Sequence, residues 1–272
     1  MITRDAAHRY TYEGVQYPSV TSILKVMGKS DALMSWAARQ TAEAAVDMFT
    51  DGLGSITILD GTTYTDKSSL AKLLDTVGRE GAIKALTSRS SWKRDEAAHL
   101  GTEVHNLADL VVRGQPTPSM TETQRVRVLH YAKWWEAQLK AGVQLRLSEA
   151  MVVRPCDDVN AYGWGGTFDL LYYDGDRQTV LADIKTGKAV YREAVLQLAA
   201  YGMANLVQPA PENVMANGKV YPMPVPDRYQ VIHVTEEGVR EVEFHIGTPE
   251  RMAFLACLDL YHWMESMKGK KL

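Results

Sequence analysis

One stretch of the chain, residues 165–188, constrains the fold more than any other. Its sequence is GGTFDLLYYDGDRQTVLADIKTGK, in which two runs rich in aromatic and β-branched residues flank the turn-forming segment Asp174–Asp176. Runs of this kind on either side of a tight turn predict the two strands of a β-hairpin. Asp169 belongs to the first strand, and the second strand ends with Asp183–Lys185.

The second strand brings an acid and an amine to one face. Side chains alternate along a strand, so Asp183 and Lys185 face the same side and Ile184 faces the other layer. An Asp-x-Lys at a strand end is common, and its ordinary role is that of a solvated strand terminus. Leu181 shares this face, however, which predicts that the face is partly buried. A buried carboxylate is costly unless it is paired or bound to a metal.

The loop between the strands decides whether Asp169 lies on the same face as Asp183. A two-residue turn would pair Asp169 with Ala182 and place the two acids on opposite faces. A loop of odd length, such as Asp174–Asp176, would pair Asp169 with Leu181 and make the acids diagonal neighbours on one face. We expect the second register, or a bulge that gives the same result. Two acids and an amine would then be suited to holding a divalent metal against a phosphate.

Composition limits the classes of protein to which the chain can belong. Its 272 residues are 46% hydrophobic and 23% charged, as is ordinary for a globular protein, and no repeat or long linker divides them. No stretch of eighteen apolar residues and no basic-then-apolar N-terminus occurs, so we expect neither a membrane span nor a secretory signal. The net charge of −3 argues against a protein that coats nucleic acid along its whole surface. Two cysteines are too few for a four-thiolate iron–sulfur cluster, and their scarcity favours a reducing cytoplasm.

Two further side chains attract attention because they lie at the border of apolar patterns. His105 borders an apolar helical stripe, where a lone histidine is more often structural than a ligand. Gly101, one helical turn earlier, would let another element or a ligand approach that face. Glu149 lies in the alternating segment 143–153, on the face that would otherwise be apolar, and a carboxylate there needs a partner.

These residues occur in an order that resembles the PD-(D/E)XK nuclease superfamily, and within it the RecB-like exonucleases, especially phage-encoded members. The opening segment His8–Leu24 is also similar to the N-terminus of phage members. Each motif alone is weak, but four in the family's order across residues 90–205 are specific. The motifs that carry the resemblance are Gly101–His105, Gly166–Asp169, Asp183–Lys188 and Gln197–Tyr201.

The resemblance implies a fold, a site and a chemistry. The fold would be a restriction-endonuclease-like α/β core, a central mixed sheet flanked by helices, in a single nuclease domain over 1–272. Residues 1–90 would form a helical N-terminal elaboration and 91–272 the core. The implied metal ligands are His105, Asp169, Asp183 and the carbonyl of Ile184. Catalysis is assigned to Lys185, Asp183, Asp169 and, more loosely, Glu149, which could bind a second metal or position water. The substrate contacts are assigned to Gln197, Tyr201, Thr102, Thr186 and Lys188.

We therefore expect a metal-dependent DNA exonuclease that acts in phage recombination or replication in the host cytoplasm. Hard oxygen ligands with one imidazole suit one or two Mg²⁺ or Mn²⁺ ions better than Zn²⁺. DNA is the expected substrate, and a recombination or single-strand-binding protein is a candidate partner. The chain lacks the four cysteines of iron–sulfur relatives and a helicase phosphate-binding loop, which favours a free-standing nuclease. The alternatives are an endonuclease of the same fold and a module that binds DNA without cutting. The sequence leaves polarity, strand preference and oligomeric state open.

Overall fold

The computed structural model describes residues 1–28, 31–50, 56–57, 63–64, 69–157, 161–211 and 217–270. The strands are β1 (Thr3–Arg4), β2 (Tyr10–Tyr12), β3 (Val15–Tyr17), β4 (Ile56–Thr57), β5 (Thr63–Tyr64), β6 (Gln144–Arg154), β7 (Trp164–Tyr173), β8 (Thr179–Lys185), β9 (Leu206–Gln208), β10 (Tyr221–Pro222), β11 (Arg228–Val234) and β12 (Val239–Phe244). The helices are α1 (Val20–Leu24), α2 (Asp31–Thr50), α3 (Ser69–Val112), α4 (Glu122–Lys140), α5 (Arg192–Gly202) and α6 (Thr248–Met267). Among these helices, none combines the length and apolarity needed to cross a bilayer.

Two compact units make up the described chain. The larger unit consists of Met1–Met27 with Gly101–Leu272, and the smaller one of Gly28–Leu100. In the smaller unit, α2 and the N-terminal part of α3 are joined by a hydrogen bond of 2.5 Å from Lys93 Nζ to Gln40 Oε1. The prediction of a single domain over 1–272, divided at residue 90, stays a prediction.

The larger unit is built on a seven-stranded mixed sheet with the strand order β10-β9-β6-β7-β8-β11-β12. β8 and β11 are parallel, and every other neighbouring pair in this sheet is antiparallel. Helices cover both faces, as the alternation along β8 shows. Leu181 packs in a cluster with residues of α1, α5 and α6, whereas Val180, Ala182 and Ile184 pack with residues of α3 and α4. The mixed α/β class with a helix-flanked central sheet is therefore confirmed.

Local sequence signals explain where the helix beside this sheet begins and ends. Thr121 and Gln124 form a capping box at the start of α4, each accepting the other's backbone N–H. Gly142 follows the helix with a φ of 91°, which suits a glycine at the point where the chain leaves for β6. Both signals are local, because each depends only on residues within one turn of the helix end.

The β7–β8 hairpin has a longer loop than the sequence suggested. The ladder pairs Leu171 with Leu181 and ends at Tyr173 and Thr179, which leaves five residues, Asp174–Gln178, in the loop. The predicted pairing of Asp169 with Leu181 is therefore wrong, because the expected loop was two residues too short. At its other end the ladder stops at the pair Leu170–Ala182, one residue short of either acid, so the prediction that Asp169 and Asp183 share a face stays a prediction.

The predicted alternation of β6 is also wrong. Val143 and Leu145 pack with the cluster of α3 and α4, but Leu147 packs with the cluster of α5 and α6. The pairing of β6 with β7 shifts between Leu145 and Leu147, and Glu149 has a φ of 48°. A bulge and a left-handed residue each change the face to which the following side chains point.

Candidate metal and phosphodiester site

Four elements of the larger unit contribute carboxylate, imidazole or amine groups to one place. His105 comes from α3, Glu149 from β6, Asp169 from β7, and Asp183 and Lys185 from the end of β8. These residues lie far apart in the sequence, and the sheet register brings them together. The three elements β6, β7 and β8 are consecutive strands of the sheet, so their acids occupy neighbouring positions.

Three of these groups form a compact set of metal-ligand atoms. One atom each from His105, Glu149 and Asp169 lies within 4.8 Å of the other two. His105 Nδ1 is 3.5 Å from Asp169 Oδ2. The backbone N–H of Ile184 donates a hydrogen bond of 2.5 Å to the same Asp169 oxygen. Ile184 thus touches the site through its backbone N–H, and its expected role as a carbonyl ligand stays a prediction.

Asp183 is engaged differently from Asp169. Its carboxylate forms an ion pair with the Lys185 ammonium, and its side chain is only 2% exposed. This pairing within Asp-x-Lys follows from strand alternation, because the two side chains leave the same face two residues apart. Asp183 therefore lies beside the compact set of His105, Glu149 and Asp169 and faces the amine.

Lys185 is held by a second polar contact. Its ammonium donates a hydrogen bond of 3.1 Å to Gln197 Oε1, and Gln197 Nε2 donates one of 2.8 Å to the Tyr201 hydroxyl. Gln197 and Tyr201 are four residues apart on α5 and so share one helical face. The resulting chain of contacts, Asp183–Lys185–Gln197–Tyr201, fixes the position of the amine.

Glycines let aromatic rings approach the strand that carries Asp169. A Cβ on Gly166 would lie 2.3 Å from Cε1 of Tyr201, and one on Gly165 would lie 2.4 Å from Cβ of Tyr10. The Tyr10 hydroxyl is also 2.9 Å from Thr167 Oγ1. The Gly-Gly pair is therefore needed for side chains to pack closely on β7 just before the acid.

The predicted contacts of the remaining motif residues are partly visible. A Cβ on Gly101 would lie 3.1 Å from Thr186 Oγ1, so the element that approaches the helix at this glycine is the segment after β8. Thr102 and Lys188 are exposed, and Thr186 is half-buried. Their predicted role in binding substrate stays a prediction.

The surroundings of the three acids shift their pKa values in different directions. Burial, with the charge of Asp169 added, raises the pKa of Glu149 to about 8. Burial also raises the pKa of Asp183 to about 6, although the Lys185 ammonium opposes it. Asp169 is buried too, but the charge and hydrogen bond of His105 lower its pKa below the ordinary value.

The pKa values of the two bases of the site, His105 and Lys185, are both raised. Burial by itself disfavours their charged forms, but neighbouring carboxylates outweigh it. Asp169 raises the pKa of His105, and Asp183 raises the pKa of Lys185. Asp169 is thus the acid with a lowered pKa, and Glu149 and Asp183 are the acids with raised pKa values.

Asp109 was not identified from the sequence as part of this neighbourhood. It lies four residues after His105, and therefore on the same face of α3. It pairs with Arg113, and its Oδ1 is buried with no hydrogen-bond partner in the described part of the chain. Its charge adds to the rise in the pKa of Glu149. The i, i+4 spacing from His105 was the signal that could have identified it.

Comparisons with known proteins add little to this geometry. No protein-family model and no curated protein matches the sequence. Among solved structures, the crystal structure of SSO0001 matches with a TM-score of 0.33 and 12% identity, over 52% of this chain and 59% of that chain. A likeness this low carries no argument about fold or function.

Proposed function

We propose that the protein is a divalent-metal-dependent deoxyribonuclease of the PD-(D/E)XK superfamily, and that it acts as a RecB-like exonuclease. One observation carries the proposal: His105, Glu149 and Asp169 gather their ligand atoms within 4.8 Å of one another. The Asp183–Lys185 ion pair lies on the next strand. An acidic cluster with a fixed amine beside it is the arrangement that phosphodiester hydrolysis needs.

The donor set suits a hard divalent cation. Two carboxylates and one imidazole can hold Mg²⁺ or Mn²⁺, and the absence of thiolates from this set disfavours a soft ion. Glu149 and Asp183 are buried carboxylates, and burial raises the pKa of both, so a cation that binds them would favour their charged forms. A bound Mg²⁺ or Mn²⁺ would polarise the phosphate and promote ionisation of the attacking water.

The residues of the chain itself would do the rest. His105 and the Ile184 N–H hold the Asp169 carboxylate in place. Lys185 would orient the attacking water and offset negative charge that develops on the phosphate. Gln197, braced by Tyr201, holds the Lys185 ammonium toward Asp183. A group fixed before the reaction stabilises developing charge without a cost of reorganisation.

A module that binds DNA without cutting would have no use for this arrangement of Lys185. The amine is not needed to hold a metal, and a surface lysine would bind a phosphate as well. The Asp183–Lys185–Gln197–Tyr201 chain of contacts therefore favours cleavage over binding alone. The preference for an exonuclease over an endonuclease, the phage role in recombination or replication, the restriction-endonuclease-like core and the cytoplasmic location rest on the motif resemblance.

Digestion of two DNA forms tests the proposal. We expect end-labelled linear duplex to be degraded with Mg²⁺ or Mn²⁺, and covalently closed circles to persist under the same conditions. Nicking or linearisation of the circles would instead favour the endonuclease. Stability of both substrates with either metal, in a sample shown to be folded, would contradict nuclease activity.

A further inference from the structure

A cleft of about 600 Å³ opens in the larger unit next to the candidate site. Its walls include Thr186–Lys188, which follow β8, and Thr235–Gly238, which follow β11. β8 and β11 are parallel, so the cleft lies outside their carboxyl ends, where sheets with parallel strands commonly bind ligands. Its volume falls within the range of about 300–1,000 Å³ that is typical of ligand sites.

A row of basic and imidazole side chains crosses the sheet from the candidate site into this cleft. Lys185 on β8 pairs with His233 on β11, and His233 pairs with Arg240 on β12. Side chains that are paired across neighbouring strands share a face. At about 4.8 Å per strand, the Lys185 and Arg240 backbones are about 10 Å apart. The row therefore extends from the amine of the Asp-x-Lys motif to a cation in the cleft.

Two cations of the cleft have no ion pair among the residues that the structure describes. Lys188 and Arg240 are both exposed and line the cleft. Arg127, also in the wall, differs because it donates a hydrogen bond of 2.8 Å to Glu236 and is already neutralised. Exposed cations are usually only solvated, but these two share a concave surface that adjoins Lys185. The atom His233 Nε2 lies 2.7 Å from the Gly187 carbonyl oxygen and holds the segment before Lys188 against β11.

We propose that this cleft binds the phosphate backbone of the DNA strand beyond the phosphodiester that is cut, through Lys188 and Arg240. The proposal rests on the proposed nuclease function, since it extends the path of the substrate from Lys185. Phosphate contacts by lysine and arginine position a strand without reading its sequence. The cleft would therefore set affinity and direction and leave the chemical step to the acidic site.

Salt dependence measures such contacts directly. For single-stranded nucleic acid, the slope of log K against log salt concentration is about −0.7 per neutralised phosphate. Arg240→Gln and Lys188→Gln should each reduce the slope by about 0.7, and the double variant by about 1.4. Arg177→Gln is the matched control, because Arg177 is an exposed arginine in the loop that precedes β8, at the other end of that strand.

The experiment uses the full chain and a fluorescein-labelled oligodeoxythymidylate in Ca²⁺, with the recovered oligonucleotide checked for intact length. Fluorescence anisotropy gives the affinity at several salt concentrations, and melting curves verify that each variant is folded. Reduced slopes for Arg240→Gln and Lys188→Gln, with the parental slope for Arg177→Gln, would support the cleft. Equal slopes for all variants, or a parent that does not bind the oligonucleotide at low salt, would overturn it.

Cleavage of the same oligonucleotide in Mg²⁺ or Mn²⁺ separates this proposal from the nuclease function. If the parent binds through Lys188 and Arg240 but does not cut, the cleft is correct and the nuclease function fails. If the parent cuts and the cleft variants match Arg177→Gln in both salt slope and rate, the cleft proposal is wrong and the nuclease function is unaffected.

Discussion

Glu149 lies across from Asp169 on neighbouring strands, at a position where its own backbone has a φ of 48°. The flanking pairs Ser148–Leu170 and Ala150–Phe168 fix this relationship. A non-glycine residue in the left-handed region costs of the order of 1 kcal/mol or more and persists when its surroundings require it. Here that conformation accompanies a carboxylate that belongs to the ligand set of His105 and Asp169.

The raised pKa of Glu149 gives a pH-dependent prediction for the metal-free protein. The folded-state pKa, about 8, lies above the ordinary value of 4.5, so the folded protein binds the proton more tightly than the unfolded chain. The contribution of this group is therefore most favourable below pH 4.5 and is lost as the pH rises toward 8. The side chain in Glu149→Gln cannot ionise, so the variant does not lose stability in this way. As the pH rises, its free energy of unfolding should therefore increase relative to that of the parent, by up to about 1.4 kcal/mol per pH unit in this window. Urea denaturation in chelator between pH 5 and 8 measures the difference, and a constant difference would contradict the assignment.

Metal binding itself is the second prediction. If Asp169 and Glu149 hold a divalent ion, Mn²⁺ should raise the melting temperature of the parent in proportion to the logarithm of its concentration above the dissociation constant. Asp169→Asn should lose this rise because it removes a charged ligand. Asp176→Asn, in the exposed hairpin loop, is the matched control and should keep the parental response. A parental response in Asp169→Asn would exclude that carboxylate as a ligand.

The third prediction concerns close packing on β7. Gly166→Ala would place a methyl group 2.3 Å from the Tyr201 ring, so the ring or the strand must move. Overpacking of this kind costs about 1–3 kcal/mol, and the loss should appear in the free energy of unfolding. Gly187→Ala is a suitable control, because the nearest atom to its new Cβ is 3.8 Å away. Equal stability of the two variants would show that Tyr201 does not need the glycine.

Local pattern was enough to predict part of this architecture. Strand alternation brings Asp183 and Lys185 together, as predicted. The capping box at Thr121 and the i, i+4 contact of Gln197 with Tyr201 are decided by neighbouring residues in the same way. The close approach predicted at Gly101 is also present, with Thr186 as the neighbour. Signals of this kind depend on one strand or one helical turn.

Features that depend on a partner strand could not be predicted from local pattern. The loop Asp174–Gln178 extends beyond its turn-forming residues, since Arg177 also adopts a positive φ, and nothing in the local pattern shows where the ladder ends. The register shift after Leu145 is likewise visible only against β7. Glu149 was identified because the sequence predicted a continuous apolar face over 143–153, and β6 does not have that face. The suspicion that a carboxylate there needs partners still led to the right neighbourhood, because its burial is real.

Lys185 separates a nuclease from a protein that only binds DNA, so its replacement tests the proposed function. The ammonium contacts Asp183 and Gln197, and its proposed work is to orient water and offset charge in the transition state. Such an interaction acts on rate more than on affinity, and its loss costs about 10²- to 10³-fold. Because Lys185→Met leaves the buried Asp183 without its partner, folding must be verified with metal present. Asp183→Ala serves as the contrasting variant: because the motif resemblance makes Asp183 a metal ligand, we expect this variant to lose metal binding and cleavage together.

The deciding measurement is the single-turnover rate of DNA cleavage by Lys185→Met at saturating protein and Mn²⁺, beside its affinity for DNA. We expect a rate at least about 100-fold below that of the parent. We also expect DNA affinity within a few-fold of the parental value and retained Mn²⁺ binding. A folded Lys185→Met variant that cuts within a few-fold of the parental rate would contradict the catalytic role of Lys185.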